Sequence, residues 1–139
     1  MTTTETNDTT ATIAGEAEDS AGIVDAYLAA YCEPDTERRA DLIRQAWEPD
    51  GELVDPPLRG QGDVELAALT DAVLSHFPGH VFRRTSAVDE HHGRARYTWD
   101  LVAPDGSVTL AGTDFVEFAD SGKLARVTGY FGPLAGRDG

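Results

Sequence analysis

The chain of 139 residues holds one methionine, one cysteine (Cys32) and one lysine (Lys123). A single thiol excludes an intrachain disulfide and any zinc site built on cysteines. No run of about 18 apolar residues occurs, so no membrane-spanning helix is expected. The N-terminus lacks the basic and apolar regions of a secretory signal, and a cytoplasmic location follows by default. Bases are scarce: 11 Lys and Arg stand against 25 Asp and Glu, a formal net charge of -14. That excess repels nucleic-acid phosphates and anionic headgroups, so neither nucleic acid nor membrane is an expected partner. There is no internal repeat and no glycine loop suited to phosphate.

What is present suits one domain. Hydrophobic residues make up 40% and aromatics 8% of the chain, enough for a core at this length. Residues 1–19 stand apart. They are Thr-rich, carry Glu5, Asp8, Glu16, Glu18 and Asp19 with no base, and offer little to bury, so they read as a disordered acidic tail. Residues 20–139 read as the folded domain.

Helical spacing follows the tail. Ser20 is placed to cap a first helix, with Ile23, Tyr27 and Tyr31 on one stripe and Val24 and Leu28 beside it, ending near Cys32 before Pro34. Asp35 can cap a second helix carrying Leu42, Ile43, Ala46 and Trp47, stopped by Pro49-Asp50-Gly51. Glu52 to Asp55 is a short extended stretch ended by Pro56-Pro57. Asp63 can cap a third helix with Leu66, Leu69, Val73 and Phe77 on its buried stripe.

The remainder reads as strands: 81–88, a turn over 89–93, then 94–102, 108–118 and 124–131. The second of these alternates, with Ala95, Tyr97, Trp99 and Leu101 on one face and Arg94, Arg96, Thr98 and Asp100 on the other. Pro104-Asp105-Gly106 and Asp120-Ser121-Gly122 turn the chain. Helices first, then an antiparallel meander, make an α+β layout.

Three polar residues sit among apolar ones. Asp114 shares a strand face with Val108, Leu110, Val116 and Phe118, where burial would raise its pKa and leave it a neutral hydrogen-bond donor. A structural ion pair would give the same pattern. Asp55 is in phase with Leu53 at a strand end, where a carboxylate can serve as a general base, although an ordinary Asp-Pro turn looks the same. Tyr27 lies on the apolar stripe of the first helix, as a core tyrosine would and as a phenol aimed into a pocket would.

Together these stretches resemble the Δ5-3-ketosteroid isomerases and, more broadly, the nuclear transport factor 2-like and SnoaL-like superfamily. The resemblance runs from about Ile23 to Gly132. It is carried by Ile23-Val-Asp-Ala-Tyr27-Leu-Ala-Ala, by Glu52-Leu-Val-Asp55-Pro, and by Gly112-Thr-Asp114-Phe-Val-Glu-Phe118 with Ser121-Gly-Lys-Leu124 and Tyr130-Phe-Gly132. It implies a cone-shaped α+β barrel, three helices over a curved and mostly antiparallel sheet, packed as a homodimer through the outer sheet. It assigns catalysis to Asp55 as base, with Tyr27 and a protonated Asp114 as donors to an oxyanion, the pattern of that isomerase. It implies a small apolar ligand lined by Trp99, Phe131, Phe118 and Tyr31, with no cofactor and no metal. A SnoaL-like polyketide cyclase, closing a ring by aldol chemistry, and a ligand-binding module without turnover are the alternatives.

The chain departs from the isomerases in the acidic tail, the Phe77-Pro-Gly-His80 link and the His91-His92 turn. The limonene-epoxide-hydrolase-like arrangement of Asp, Arg and Asp is absent: Asp100 is present, but Thr98 stands where its Arg would be and Gly129 near its second Asp. His80 reads as an exposed loop histidine, with an auxiliary acid or base at a pocket mouth as the lesser alternative, while adjacent His91 and His92 rarely converge on a metal. Cys32 lacks an activating base and reads as a spectator thiol.

Overall fold

The computed structural model describes residues 19–138. The tail inferred over residues 1–19 therefore lies, except for Asp19, outside the described residues. A first helix, α1, runs through residues 19–30. Ser20 is already helical, so it is not the cap; its hydroxyl instead donates to Glu90 Oε1 at 2.7 Å. Tyr27, Leu28 and Tyr31 are buried, as the stripe predicts.

The second helix, α2, spans Thr36–Ala46, and Asp35 caps it by accepting the Arg38 N–H at 3.0 Å. It ends before Pro49. Trp47 already opens a strand, β1, over Trp47–Val54, which contains the Pro-Asp-Gly run expected to stop the helix. Between Trp47 and Glu52 the pairing register shifts, and this irregularity accommodates a proline without an N–H. β2 (Arg59–Gln61) leads into α3 (Gly62–His76). Its cap is Gln61, not Asp63; Glu65 Oε1 reaches back to accept the Gln61 N–H at 2.9 Å.

The expected strand over 81–88 divides into β3 (Val81–Arg84) and β4 (Asp89–His91), both paired with β5 (Arg94–Val102). The division has a local cause: Ser86 Oγ, not a backbone carbonyl, accepts the Thr98 N–H at 2.9 Å. The turn expected over 89–93 contracts to His92-Gly93, both at positive φ, the tight geometry that joins antiparallel strands. β6 (Val108–Phe118) and β7 (Leu124–Phe131) fall where the alternation places them.

The seven strands form one sheet in the order β2-β1-β7-β6-β5-β3, with β4 beside β5. Only the β1–β7 pair is parallel. Because side chains alternate along each strand, Ala95, Tyr97, Trp99 and Leu101 of β5 face the helices with Asp114 and Val116 of β6 and Val127 of β7. The three helices and the curved sheet make the cone-shaped α+β architecture that the resemblance implied.

Candidate active site

The inner faces of helices and sheet do not meet everywhere. They leave a cavity of about 370 Å³. Side chains from α1, the 55–58 loop, α3 and strands β3, β5, β6 and β7 line it. Its walls are held by a succession of tilted and edge-on aromatic contacts: Trp47 to Tyr27 at 5.5 Å, Tyr27 to Tyr31 at 5.3 Å, Tyr31 to Phe82 at 5.3 Å, Phe82 to Trp99 at 5.3 Å and Trp99 to Phe131 at 5.9 Å. Each contact of this kind favours one ring orientation.

Tyr27, Asp55 and Asp114 all face this cavity. Asp114 is 3% exposed, and both of its oxygens are engaged. The Tyr97 hydroxyl donates to Oδ2 at 2.7 Å and the Trp99 indole N–H to Oδ1 at 3.1 Å. Register explains the arrangement: Tyr97 is directly across from Asp114 on β5, and Trp99 lies two residues further along the same face. Trp99 reaches Asp114 because Gly112 has no side chain. A Cβ there would overlap the indole ring and approach the Tyr130 carbonyl.

Burial pushes the Asp114 carboxyl up to about 6, against the two hydrogen bonds and with help from the nearby charge of Asp55. Asp114 is therefore a neutral donor below that pH.

Asp55 is half-buried at the end of β1. Pro56 and Pro57 have no N–H, so the first donor available to its carboxylate is Leu58, which binds Oδ1 at 2.8 Å. The Asp55 N–H returns to the Leu58 carbonyl at 2.9 Å. The turn and the pocket carboxylate are thus one feature, with the second oxygen left for chemistry. Burial raises the Asp55 pKa and the Leu58 N–H opposes the rise.

Gly129 separates the two acids. A methyl on it would sit 3.0 Å from Asp114 Oδ1 and 3.1 Å from Asp55 Cβ at once. The Asp55 charge adds to the burial that holds the Asp114 carboxyl up. Burial also holds the Tyr27 phenol well above its ordinary value, so it remains a donor.

Of the aromatic lining inferred from sequence, Trp99, Phe131 and Tyr31 face the cavity. Phe118 does not. It lies at the far end of β6, opposite Leu124 and past a register shift at Glu117, out of the cavity's reach. His80 is also not at the mouth, because its Nε2 is engaged with Thr109 Oγ1 at 2.9 Å. His76, in the last turn of α3, is there instead.

Sequence reasoning missed three contributors: Tyr97, Gly129 and His76. Tyr97 alternates in phase with Trp99 and could have been found from that phase. Gly129 and His76 carry no such signal.

Asp100 faces away from the cavity and pairs with Arg83 at 3.3 Å, in keeping with setting the epoxide-hydrolase arrangement aside. Cys32 Sγ accepts the Phe82 N–H at 3.1 Å, and burial pushes its thiol up, as suits a packing residue. Among the described residues, no group of three or more His, Cys, Asp or Glu side chains converges as a metal site would require. Among them, too, no helix is long and apolar enough to cross a membrane.

This cone with its apolar pocket is the fold of nuclear transport factor 2-like proteins. An NTF2-like protein of unknown function from Exiguobacterium sp. 255-15 shares it with a TM-score of 0.61 at 18% identity, over 81% of this chain and 99% of the other. A candidate polyketide cyclase from Sinorhizobium meliloti does so with a TM-score of 0.61 at 21% identity, over 78% and 93%. A candidate isomerase of the SnoaL-like family from Agrobacterium tumefaciens matches with a TM-score of 0.78 at 35% identity, over 84% of this chain and 99% of that one. The chain belongs to the SnoaL-like family. No protein-family profile and no curated protein sequence matches it.

Proposed function

We propose that the protein isomerises a small apolar ketone through an enolate, by ketosteroid-isomerase-like proton transfer. The observation that supports this most is the two acids on either side of Gly129 in one apolar cavity, with Asp114 buried between Tyr97 and Trp99. In this reading the ketone is β,γ-unsaturated, and the free oxygen of Asp55 removes a proton from the carbon between the carbonyl and the double bond. The electron pair of that C–H bond moves onto the carbonyl oxygen. Tyr27 and neutral Asp114 donate hydrogen bonds to the resulting dienolate. Asp55 then returns the same proton to the far carbon of the conjugated system, so atoms and charge balance. A donor of this kind contributes about 10²–10³ in rate. No step calls for a cofactor.

The test is incubation with 5-androstene-3,17-dione, following absorbance of the conjugated enone, with Asp55→Asn as control. Appearance of the enone, lost in the variant, is the expected result. No enone with the folded wild-type protein would sink the ketosteroid substrate class.

A second proposal concerns the outer face of the sheet, where Phe115 and Tyr130 meet edge to edge at 5.8 Å and are 47% and 57% exposed. The homodimer implied by the resemblance would cover them. Light scattering that returns the mass of one chain would remove it.

A further inference from the structure

We infer that His76 is a specificity residue, and that the ligand is a rigid apolar ketone carrying a second hydrogen-bond acceptor at its far end. This inference rests on the ketone reading above. The polar side chains that line the cavity are Tyr27, Tyr31, Asp55 and Asp114 on one hand and His76 of α3 on the other. Along β6 the lining runs from Asp114 to Leu110, four residues or about 13 Å of strand. The rest of the lining is apolar, Leu101, Val73 and Phe77 included.

The C-terminus of α3 belongs to the end remote from the acids. Phe77 packs its ring 5.4 Å from His80, and His80 bonds Thr109 beside Leu110. A Cβ on Gly79 would meet Pro104 in the β5–β6 turn at 2.9 Å. His76 precedes Phe77, and its ring stands edge-on to it at 4.7 Å.

The lining side chains hold few donors. Tyr27 is on α1, Tyr31 directly follows it, and the Trp99 N–H is committed to Asp114. No Lys or Arg lines the cavity, and His76 is the one imidazole that does. No hydrogen bond joins His76 to another side chain among the described residues. An imidazole carries an N–H in either protonation state, so it suits a neutral acceptor oxygen. The rest of the protein, at -14, disfavours an anion in that place.

The measurement is equilibrium binding of two ketones that cannot be isomerised further, followed by tryptophan fluorescence of the full chain. One is 4-androstene-3,17-dione, with a distal oxygen; the other is 4-androsten-3-one, without it. Wild type is expected to prefer the dione about tenfold, the effect of one hydrogen bond. The preference should fall to near one in His76→Phe and persist in His76→Gln, which keeps a donor. An equal affinity in wild type, a preference unchanged in His76→Phe, or binding of neither ketone would overturn the assignment. Preference without turnover of 5-androstene-3,17-dione would remove the isomerase reading and leave His76 in its role. Turnover without preference would do the reverse.

Discussion

The two faces of the sheet use the same residue types to opposite ends. On the inner face, Asp114 is enclosed, its oxygens held by Tyr97 and Trp99, and its carboxyl raised. On the outer face of the same strands, acids stand in water beside arginines: Asp89 with Arg96 at 2.9 Å, and Glu117 with Arg126 at 3.6 Å. Those outer groups share their pairing with solvent and salt, so each pair contributes little. The inner group cannot. Its charge state is set by burial, and that state is what a reaction could use. Alternation along β6 therefore leaves Glu117 sharing its charge with solvent and holds Asp114 neutral inside the cavity below about pH 6.

The largest effect expected across this divide is on turnover. Asp55→Asn should lower isomerisation of the ketone by about 10²–10⁴ in kcat, the usual range for loss of a general base. The outer Asp89→Asn should leave it within a factor of two or so, a change of under about 0.5 kcal/mol. A comparable loss from both would erase the distinction between the faces.

Next in size is a pH effect. The folded Asp114 binds its proton up to about pH 6, whereas an unfolded aspartate releases it near 3.8. Folding is therefore favoured most below about pH 4, and this contribution is lost as pH rises through 6, up to about 3 kcal/mol in all. Asp114→Asn can still accept from Trp99 and satisfy Tyr97, so urea melts of the variant should lose this slope and exceed wild type at pH 8. An unchanged slope would place the titration elsewhere. In turnover, wild-type kcat/KM should fall as pH rises past about 6, as the donor proton is lost.

Smaller again is a packing test on neighbouring residues of β6. Gly112→Ala drives a methyl into the Trp99 ring and should cost about 1–3 kcal/mol in denaturant melts. Thr113→Ala, one residue on and facing outward, should stay within about 0.5 kcal/mol. Equal costs would mean that Trp99 is not held against β6 by the missing side chain. The smallest effect belongs to the outer ion pair. A double-mutant cycle on Asp89 and Arg96 should give under about 1 kcal/mol of coupling, vanishing in high salt.

Much of this was legible in the chain because it depends on period. The alternation of β5 and β6 set their faces and boundaries, and Asp114 stood out as the polar member of an apolar phase. The stripe on α1 placed Tyr27 and Tyr31 together. Other features were not legible, since their causes lie across the sequence. The split between β3 and β4 comes from Ser86 bonding a strand twelve residues away. Phe118 has the phase of a lining residue but lies at the wrong end of its strand, and His76 displaced His80 from the mouth because His80 is tied to Thr109.

By itself, then, the sequence determined the α+β class and the identity of the acids that stand in apolar company, through composition and periodicity. Only tertiary structure decided that Asp55, 59 residues before Asp114, would stand across from it with Gly129 between them. Proximity of that kind is set by how strands pair and which side chains are missing, and neither is written in the local order of residues.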